Sequence, residues 1–527
     1  MSPVERIARG PASGAGPLQL ARPGARRWAT LAVLSLSLLV VSLDNTILNV
    51  ALPAMVRAMH ASSSELQWIV DSYAIVFAGL LLVAGSLGDR IGRKWVFMAG
   101  LAVFAAGSAT SAFSGTPDRL IAARAFMGIG AAAVMPSTLS ILTNVFTEPD
   151  ERALAIGVWS GTTGLGVALG PLAGGWLLAR YWWGSVFLVN VPIAVVAIVA
   201  ALWLVPNSKD RASKHPDPVG ASLSIVGMGL LLWGIIEAPT RSWSSPLVLG
   251  ALAGALGVLT CFAVWERRST HPMLELSFFR SRRFSAAMGA MGLVIFALMG
   301  GLFILTQYLQ FSLGYTAFET GWRIAPIAAV LLVAAPLSTV LVRRLGTKPV
   351  VFVGMILVAT GLGLLSRVTV HGTYLDAMPA FFLMGSGTGL AFAPCTEAVM
   401  GSLPLDRTGV GSATNSAALQ TGGALGVGLL GSLLNTRYEA RLTPTLLRHA
   451  VPGSVAHVIT GSLGGALAVA QQAGASLGPQ LAAAARGAFV SGMDLAVGVG
   501  AVVVAVAALV VLAVLPNRGR STRSPNS

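Results

Sequence analysis

Among the charged side chains within apolar runs, Asp44, Asp71, Arg124 and Glu397 stand out, while Glu237, Glu319, Arg323 and Asp494 lie nearer the outer boundaries. A charge at mid-helix costs about 2.5–3.5 kcal/mol on membrane-insertion scales, so a chain keeps one only where it is paired, wetted or used. Asp44 lies in the segment LDNTILNVALP, Leu43–Pro53, with Asn45 and Asn49 one turn apart beside it. A carboxylate in a low-dielectric site is pushed toward its neutral form, and a nearby cation pulls it back. Such a group can take a proton from one side of a membrane and release it to the other as its surroundings change. The plainer reading is a helix–helix hydrogen bond or a cap at a broken helix. Arg124 is either the cation that tunes a carboxylate or half of a structural ion pair. Asp71 suits a second proton carrier or a counter-charge for a cationic substrate, against a solvated residue near the outer mouth. Glu397 is a proton or substrate site, or a residue facing inner water. Glu319 and Arg323, four apart, are expected to pair with each other. Trp68, Tyr73, Phe77, Trp159, Tyr308, Phe311, Phe382 and Phe392 are candidates for a ligand pocket, against the belt and lipid-facing positions most membrane aromatics take.

The elements that must hold these residues follow from composition. The chain has 527 residues, a mean hydropathy of +0.76, 55% hydrophobic residues and only 10% charged ones. Soluble domains carry roughly 25% charge, so most of this chain belongs in lipid. A spanning helix needs roughly 20 mostly apolar residues. Fourteen such runs are expected, near 28–53, 66–87, 95–114, 119–143, 153–179, 184–205, 219–238, 245–265, 284–311, 319–342, 349–368, 376–402, 409–434 and 488–515. The apolar stretch His457–Gly474 contains Gln471 and Gln472 and is read as an external amphipathic or disordered segment. It sits within a longer extracellular loop, 435–487. Residues Met1–Arg27 lack an apolar core and read as a disordered cytoplasmic arm, not a cleaved signal.

The net charge of +15 and pI near 11.0 do not argue for nucleic acid, because the basic residues sit mainly in short loops. With both ends of the chain cytoplasmic, the inner loops carry 24 Lys and Arg and the outer loops 9, the bias the positive-inside rule requires. Cys261 and Cys395 both lie in apolar runs, so no disulfide framework is implied. Phosphate-loop, HExxH, CxxC and GxSxG patterns are all missing from the sequence, and the six histidines form no ligand-spaced cluster. No cofactor and no enzyme activity are expected. An ion gradient is the remaining source of energy.

The loop GSLGDRIGRKWVF, Gly85–Phe97, joins the second and third runs, and a shadow of it returns as RLGTKPVVFVG, Arg344–Gly354. Arg90, Gly92, Lys94 and Gly100 each recur 254 positions on. Met127-Gly128-x-Gly130 matches Met384-Gly385-x-Gly387, and Gly166 and Gly170 match Gly422 and Gly426, at nearly the same offset. The expected architecture is therefore an all-α membrane protein of two six-helix bundles in parallel topology. The boundaries are 28–206 for the first bundle and 284–516 for the second, with two inserted helices in 207–283 and a cytoplasmic tail at 517–527. Repeated halves of this kind rock against each other in transporters. Gly85, Gly88 and Gly92 permit a tight turn, and Asp89 can face the positive end of a neighbouring helix. Arg90, Arg93 and Lys94 stay in cytoplasmic water. In GLGVALGPLAGGW, Gly164–Trp176, small residues at helical spacing surround Pro171. Such spacing lets two helices touch, and proline weakens the ladder.

Taken together, these segments resemble the major facilitator superfamily, in particular its fourteen-span drug:proton antiporter branch. The resemblance runs from Trp28 to about Pro516. GSLGDRIGRKWVF looks like that superfamily's loop signature, LDNTILNVALP like the first-span signature of the branch, and GVALGPLAGG, Gly166–Gly175, like its antiporter motif. The resemblance implies Asp44 and Arg124 as coupling residues, Asp89, Arg90 and Arg93 as a gating latch, and Gly170-Pro171, with Gly174 and Gly175, as antiport machinery. Two positions depart from the family pattern: Met127 stands where Gln follows the arginine, and the NSAAL stretch of span 13 carries no charge. The expected activity is export of amphipathic, cationic or zwitterionic drug-like molecules across a bacterial inner membrane in exchange for protons, by a monomer among membrane lipids. Two alternatives are export of one native metabolite, antibiotic or lipid precursor, and a membrane sensor or scaffold that transports nothing.

Overall fold

The computed structural model describes residues 24–209, 216–269, 274, 276–402, 408–448 and 451–517. The expected arm Met1–Arg27 and tail 517–527 lie outside these residues, apart from the arm's last four and Asn517. Every element among the described residues is helical, because lipid offers no water to an unpaired backbone group. Among the described residues, fourteen helices are long and apolar enough to cross a membrane, in the order and places expected from the sequence.

The first bundle comprises α1 (Gly24–Met59), α2 (Ser63–Ile91), α3 (Arg93–Ala112), α4 (Pro117–Val145), α5 (Pro149–Arg180) and a broken span made of α6 (Ser185–Leu188) and α7 (Asn190–Leu204). The break has a local cause. Pro192 has no N–H for the Leu188 carbonyl, and its ring crowds that carbonyl. Helix α1 packs along α5 and α7, α2 along α4, and α3 along α4 and α7. The inserted pair, α8 (Pro218–Arg241) and α9 (Pro246–Arg268), forms a hairpin whose first helix leans on both bundles.

The second bundle contains α10 (Arg282–Gln307, prolonged by a π-helical turn, Tyr308–Ser312), α11 (Ala317–Leu345), α12 (Thr347–Leu365), α13 (Tyr374–Met400), α14 (Thr408–Arg448) and α17 (Gly474–Val514). Between the last two lie α15 (Gly453–Gly461) and α16 (Leu463–Gln472). The sequence left 435–487 as a loop and His457–Gly474 as amphipathic or disordered. Instead, α14 runs on to Arg448 and the stretch folds as two short helices. The break falls at Ser462, whose side chain caps α16 by accepting from the Gly465 N–H at 3.1 Å. Pieces of nine and ten residues are too short to span. They bury Ile459, Leu463 and Ala466, and the Tyr438 hydroxyl donates to the Ile459 carbonyl at 2.9 Å.

The repeat is visible in how each bundle closes its glycine-bearing loop. Gly92 and Gly346 both have positive φ, 126° and 90°. Each is covered by an asparagine that follows its own bundle's last helix. A Cβ on Gly92 would lie 2.6 Å from Asn207 Oδ1, and one on Gly346 would strike the Asn517 side chain. The neighbouring backbones bond as well, Arg93 N–H to the Ser208 carbonyl at 3.1 Å and Thr347 N–H to the Asn517 carbonyl at 3.4 Å.

Candidate functional site

We call the end of the molecule that carries Gly85–Phe97 the basic end and the opposite end the far end. Asp44 is fully buried inside the first bundle. Its Oδ2 is paired with Arg124 Nη1 of α4, and its Oδ1 accepts from Asn190 Nδ2 of α7 at 3.2 Å. Arg124 also donates through Nε to the Ile69 carbonyl of α2 at 3.1 Å. Its guanidinium lies 4.3 Å from the centre of the Tyr73 ring and 5.8 Å from that of Phe187, close enough for cation–π attraction. Asn190 donates a second time, to Ser108 Oγ of α3 at 3.2 Å. Met127, in the place where the family pattern has Gln, presents its sulfur to Arg124, Ser108 and Ser111.

The geometry ties five spans of one bundle to a single carboxylate. Low dielectric strengthens such a network when it is satisfied and makes any lost partner costly. The carboxylate points into the first bundle rather than into the space between bundles.

Asp71 lies elsewhere, fully buried on α2 where it faces α14 and α8. A Cβ on Gly428 of α14 would sit 3.4 Å from its Oδ2. Neither of its oxygens has a hydrogen-bond partner among the described residues. One turn away, Gln67 Nε2 donates to the Val427 and Gly428 carbonyls, both at 3.3 Å. Glu397 is exposed near the end of α13. Asn45 and Asn49 bond back to their own helix, to the Val41 and Asn45 carbonyls.

The antiporter-like segment packs α5 against two partners. Pro171 leaves the Val167 carbonyl without its helical donor, and Thr46 Oγ1 of α1 donates to that carbonyl at 3.2 Å. Gly170 lets α1 come this close, since a Cβ there would collide with Thr46. Gly174 faces Ile47 of α1, and Gly166 faces Ser42. On its other side α5 meets the second bundle. A Cβ on Gly175 would lie 2.8 Å from the Ala317 carbonyl oxygen and the Phe318 Cα, and one on Gly321 would strike the Pro171 carbonyl. Further cross-bundle contacts are Gln310 Nε2 to the Val50 carbonyl at 2.9 Å and Arg57 over the Phe311 ring at 5.8 Å. All of these cross-bundle contacts lie in the far-end half.

At the basic end, Asp89 Oδ1 accepts from Arg93 Nε at 2.7 Å. Arg93 also reaches the Ser140 carbonyl at 3.4 Å, and Lys94 the Leu202 carbonyl at 2.7 Å. Gly85 packs on Pro136 of α4, and Arg90 is exposed. The named contacts of this loop stay within the first bundle.

The aromatic candidates scatter. Tyr73 touches the cluster and Phe77 meets Tyr73 edge-on at 5.6 Å. Trp159 donates to Thr138 Oγ1 at 3.1 Å, tying α5 to α4. Trp68 packs toward the α8 seam, and Phe392 is half-buried in the second bundle. Tyr308 donates to the Thr369 carbonyl at 2.9 Å. Phe382 opens onto a flank of the second bundle. Asn190 and Phe187 escaped the sequence reading, which looked for charge inside apolar runs. The available signal was an asparagine two residues before a proline in an otherwise apolar span.

The sequence matches the family model of the Major Facilitator Superfamily over residues 34–427. It is 34% identical over 492 residues to the tetracenomycin C resistance and export protein of Streptomyces glaucescens, covering 92% of this chain and 91% of that protein. It is 34% identical over 495 residues to the multidrug efflux pump LfrA of Mycolicibacterium smegmatis, covering 93% and 96%. The methyl viologen resistance protein SmvA of Salmonella typhimurium is 33% identical over 420 residues, covering 79% and 84%. In fold, the chain is similar to a bacterial homolog of the human lysosomal transporter Spinster in an inward-facing, unoccupied conformation, with a TM-score of 0.66 at 17% identity over 94% of this chain and 98% of that one.

Proposed function

The chain belongs to the Major Facilitator Superfamily, and from that premise we propose that it exports amphipathic, drug-like cations from the cell in exchange for entering protons. The observation that carries the reading is the buried Asp44–Arg124 pair with Asn190 on the second carboxylate oxygen. When a proton arrives, the carboxyl loses its charge attraction to Arg124 and one of its two oxygens turns from acceptor to donor, which weakens the ties to α4 and α7. The bundle can then adopt a second packing, and Thr46, two residues from Asp44, passes the change to α5 through the Val167 carbonyl. Helix α5 in turn touches the second bundle at Gly175 and Gly321. This gives a physical route from one proton to the tilt of one bundle against the other.

In this reading the basic end faces the cytoplasm of a bacterial inner membrane, as the Lys and Arg bias requires. The cross-bundle contacts then close the outer side, and the substrate enters from the cytoplasm between α1, α4, α10 and α13. Asp71 is the second acid: sealed in the α2–α14 seam, it becomes available to a proton or a cationic substrate only when that seam parts. The Asp89–Arg93 loop acts as the cytoplasmic latch. The printed functions of the relatives, export of an antibiotic and efflux of many drugs, support outward transport of small molecules.

The test is drug efflux from preloaded right-side-out vesicles after the outside is made acidic by an imposed pH jump. Wild type extrudes an ethidium-type dye and stops when a protonophore is added. Asp44→Asn should fold and fail to extrude. Wild-type flux in that variant would reject the assignment. Relatives named for a single antibiotic favour a second reading, in which one native compound is the cargo. A competition panel separates the two, because only a broad exporter is inhibited by many unrelated cations.

A further inference from the structure

A cavity of about 530 Å³ opens on the flank of the second bundle, between α11 and α13, away from the site described above. It is lined by Trp322, Arg323, Pro326 and Ala329 of α11 and by Tyr374 and Phe382 of α13. Its volume falls in the range of small-molecule sites. The same face of α11 continues toward the basic end through Val333, Leu337 and Val340, all exposed and apolar. A run of exposed aliphatic side chains on a spanning helix faces acyl chains, so the cavity opens to lipid.

The two ends of the cavity differ in chemistry. At the far end stands Arg323, whose guanidinium lies 3.8 Å from the centre of the Tyr315 ring and 5.7 Å from that of Tyr374. Its Nη1 donates to the Glu319 carbonyl at 3.3 Å. Nε and Nη2 have no hydrogen-bond partner among the described residues. This is the planar, two-donor edge that matches a phosphate. Glu319 approaches Nη1 only to 3.9 Å, and its carboxylate is spent on the N-terminus of α11, accepting from the Thr316 N–H at 2.9 Å and the Thr316 hydroxyl at 3.1 Å. Trp322, Tyr315 and Tyr374 near the membrane boundary mark headgroup depth. Below Arg323 the walls are apolar for about 12 Å of helix. Small side chains at Ala325 and Ala329 leave the room, and Pro326 cannot donate to the Trp322 carbonyl, so an acceptor is left near the mouth.

We infer that this crevice binds one phospholipid of the far-end leaflet, with its phosphate on the Nε–Nη2 edge of Arg323 and one acyl chain along Ala325, Ala329 and Phe382. A headgroup that leaves the phosphate charge uncompensated and bears hydroxyls, such as phosphatidylglycerol, fits best: its net charge matches the arginine, and its hydroxyls supply donors for the Trp322 carbonyl. The choline of phosphatidylcholine would place a second cation beside the guanidinium.

Native mass spectrometry of the full chain in detergent, titrated with dioleoylphosphatidylglycerol or dioleoylphosphatidylcholine, reads the occupancy directly. Wild type should retain one phosphatidylglycerol at concentrations where phosphatidylcholine is lost. Arg323→Gln should weaken that retention on the order of tenfold. Ala329→Phe, which fills the exposed crevice and leaves every charge in place, should weaken it as much, and it decides the matter if the arginine variant fails to fold. Equal retention by wild type and Ala329→Phe would overturn the site. Equal retention by wild type and Arg323→Gln would overturn the headgroup contact. Displacement of the lipid by millimolar inorganic phosphate would show a free-anion site and overturn the lipid assignment.

Discussion

Asn190 Nδ2 donates to Asp44 Oδ1 across 3.2 Å, from the residue that starts α7 just past the break in its span. It also holds Ser108, so one uncharged side chain links the carboxylate to α3 and α7. Hydrogen bonds to charged groups contribute about 1.5–3 kcal/mol. Asn190→Leu should therefore slow proton-driven efflux about tenfold or more while leaving the protein in the membrane. Asn190→Gln should recover part of the rate. Unchanged flux in the leucine variant, measured in pH-jumped vesicles, would remove Asn190 from the mechanism.

Arg124 and Asp44 should be coupled in stability as well as in transport. Removing one partner of a buried pair strands the other charge at a cost of about 3–5 kcal/mol. Arg124→Gln should lower the thermal midpoint of the purified protein sharply. The double variant Asp44→Asn/Arg124→Gln should regain much of that loss and still not transport. Simple additivity of the two single changes in a double-mutant cycle would show that the pair does not act as a unit.

Gly175 and Gly321 set the distance between α5 and the second bundle. Adding side chains there forces the far-end seam apart, and overpacking of this kind costs about 1–3 kcal/mol. Gly321→Val should make a cysteine at position 50, which is fully buried, react faster with a membrane-impermeant thiol reagent in a Cys261→Ser/Cys395→Ser background. A labelling rate equal to that of Gly321 would mean that the seam does not gate access.

The paired glycine loops predict paired effects. Gly92 and Gly346 sit at positive φ under Asn207 and Asn517. An alanine at either position is strained and crowded, at a cost of about 1–3 kcal/mol. Both Gly92→Ala and Gly346→Ala should lower the thermal midpoint by comparable amounts. A wild-type midpoint for Gly346→Ala would mean that only the first loop is constrained.

Asp44 and Arg124 were legible because charge in an apolar run is expensive and therefore conspicuous. Asn190 was not, since an uncharged amide carries a smaller penalty than a charge and its role appears only when α7 is laid beside α1. The doubled loop was legible from its glycine spacing. The matching Pro206-Asn207 and Pro516-Asn517 passed unnoticed, because a two-residue coincidence means nothing until both are seen docking on their glycines. Phe382 shows the limit in the other direction: its aromatic ring suited a pocket, but only the rotation of α13 decides that it faces the flank of the second bundle.

Hydropathy by itself pointed to fourteen spanning helices, because the cost of putting a polar residue in lipid is paid locally, residue by residue, and the recurring glycines and basic residues pointed to a duplicated plan. Tertiary structure alone decided that Asp44 faces inward to Arg124 and Asn190, that Asp71 is sealed in a different seam, and that 453–472 folds as two short helices. Those outcomes depend on which helix faces meet and how closely glycines let them approach, and residues as far apart as Asp44 and Asn190 carry no local trace of that meeting.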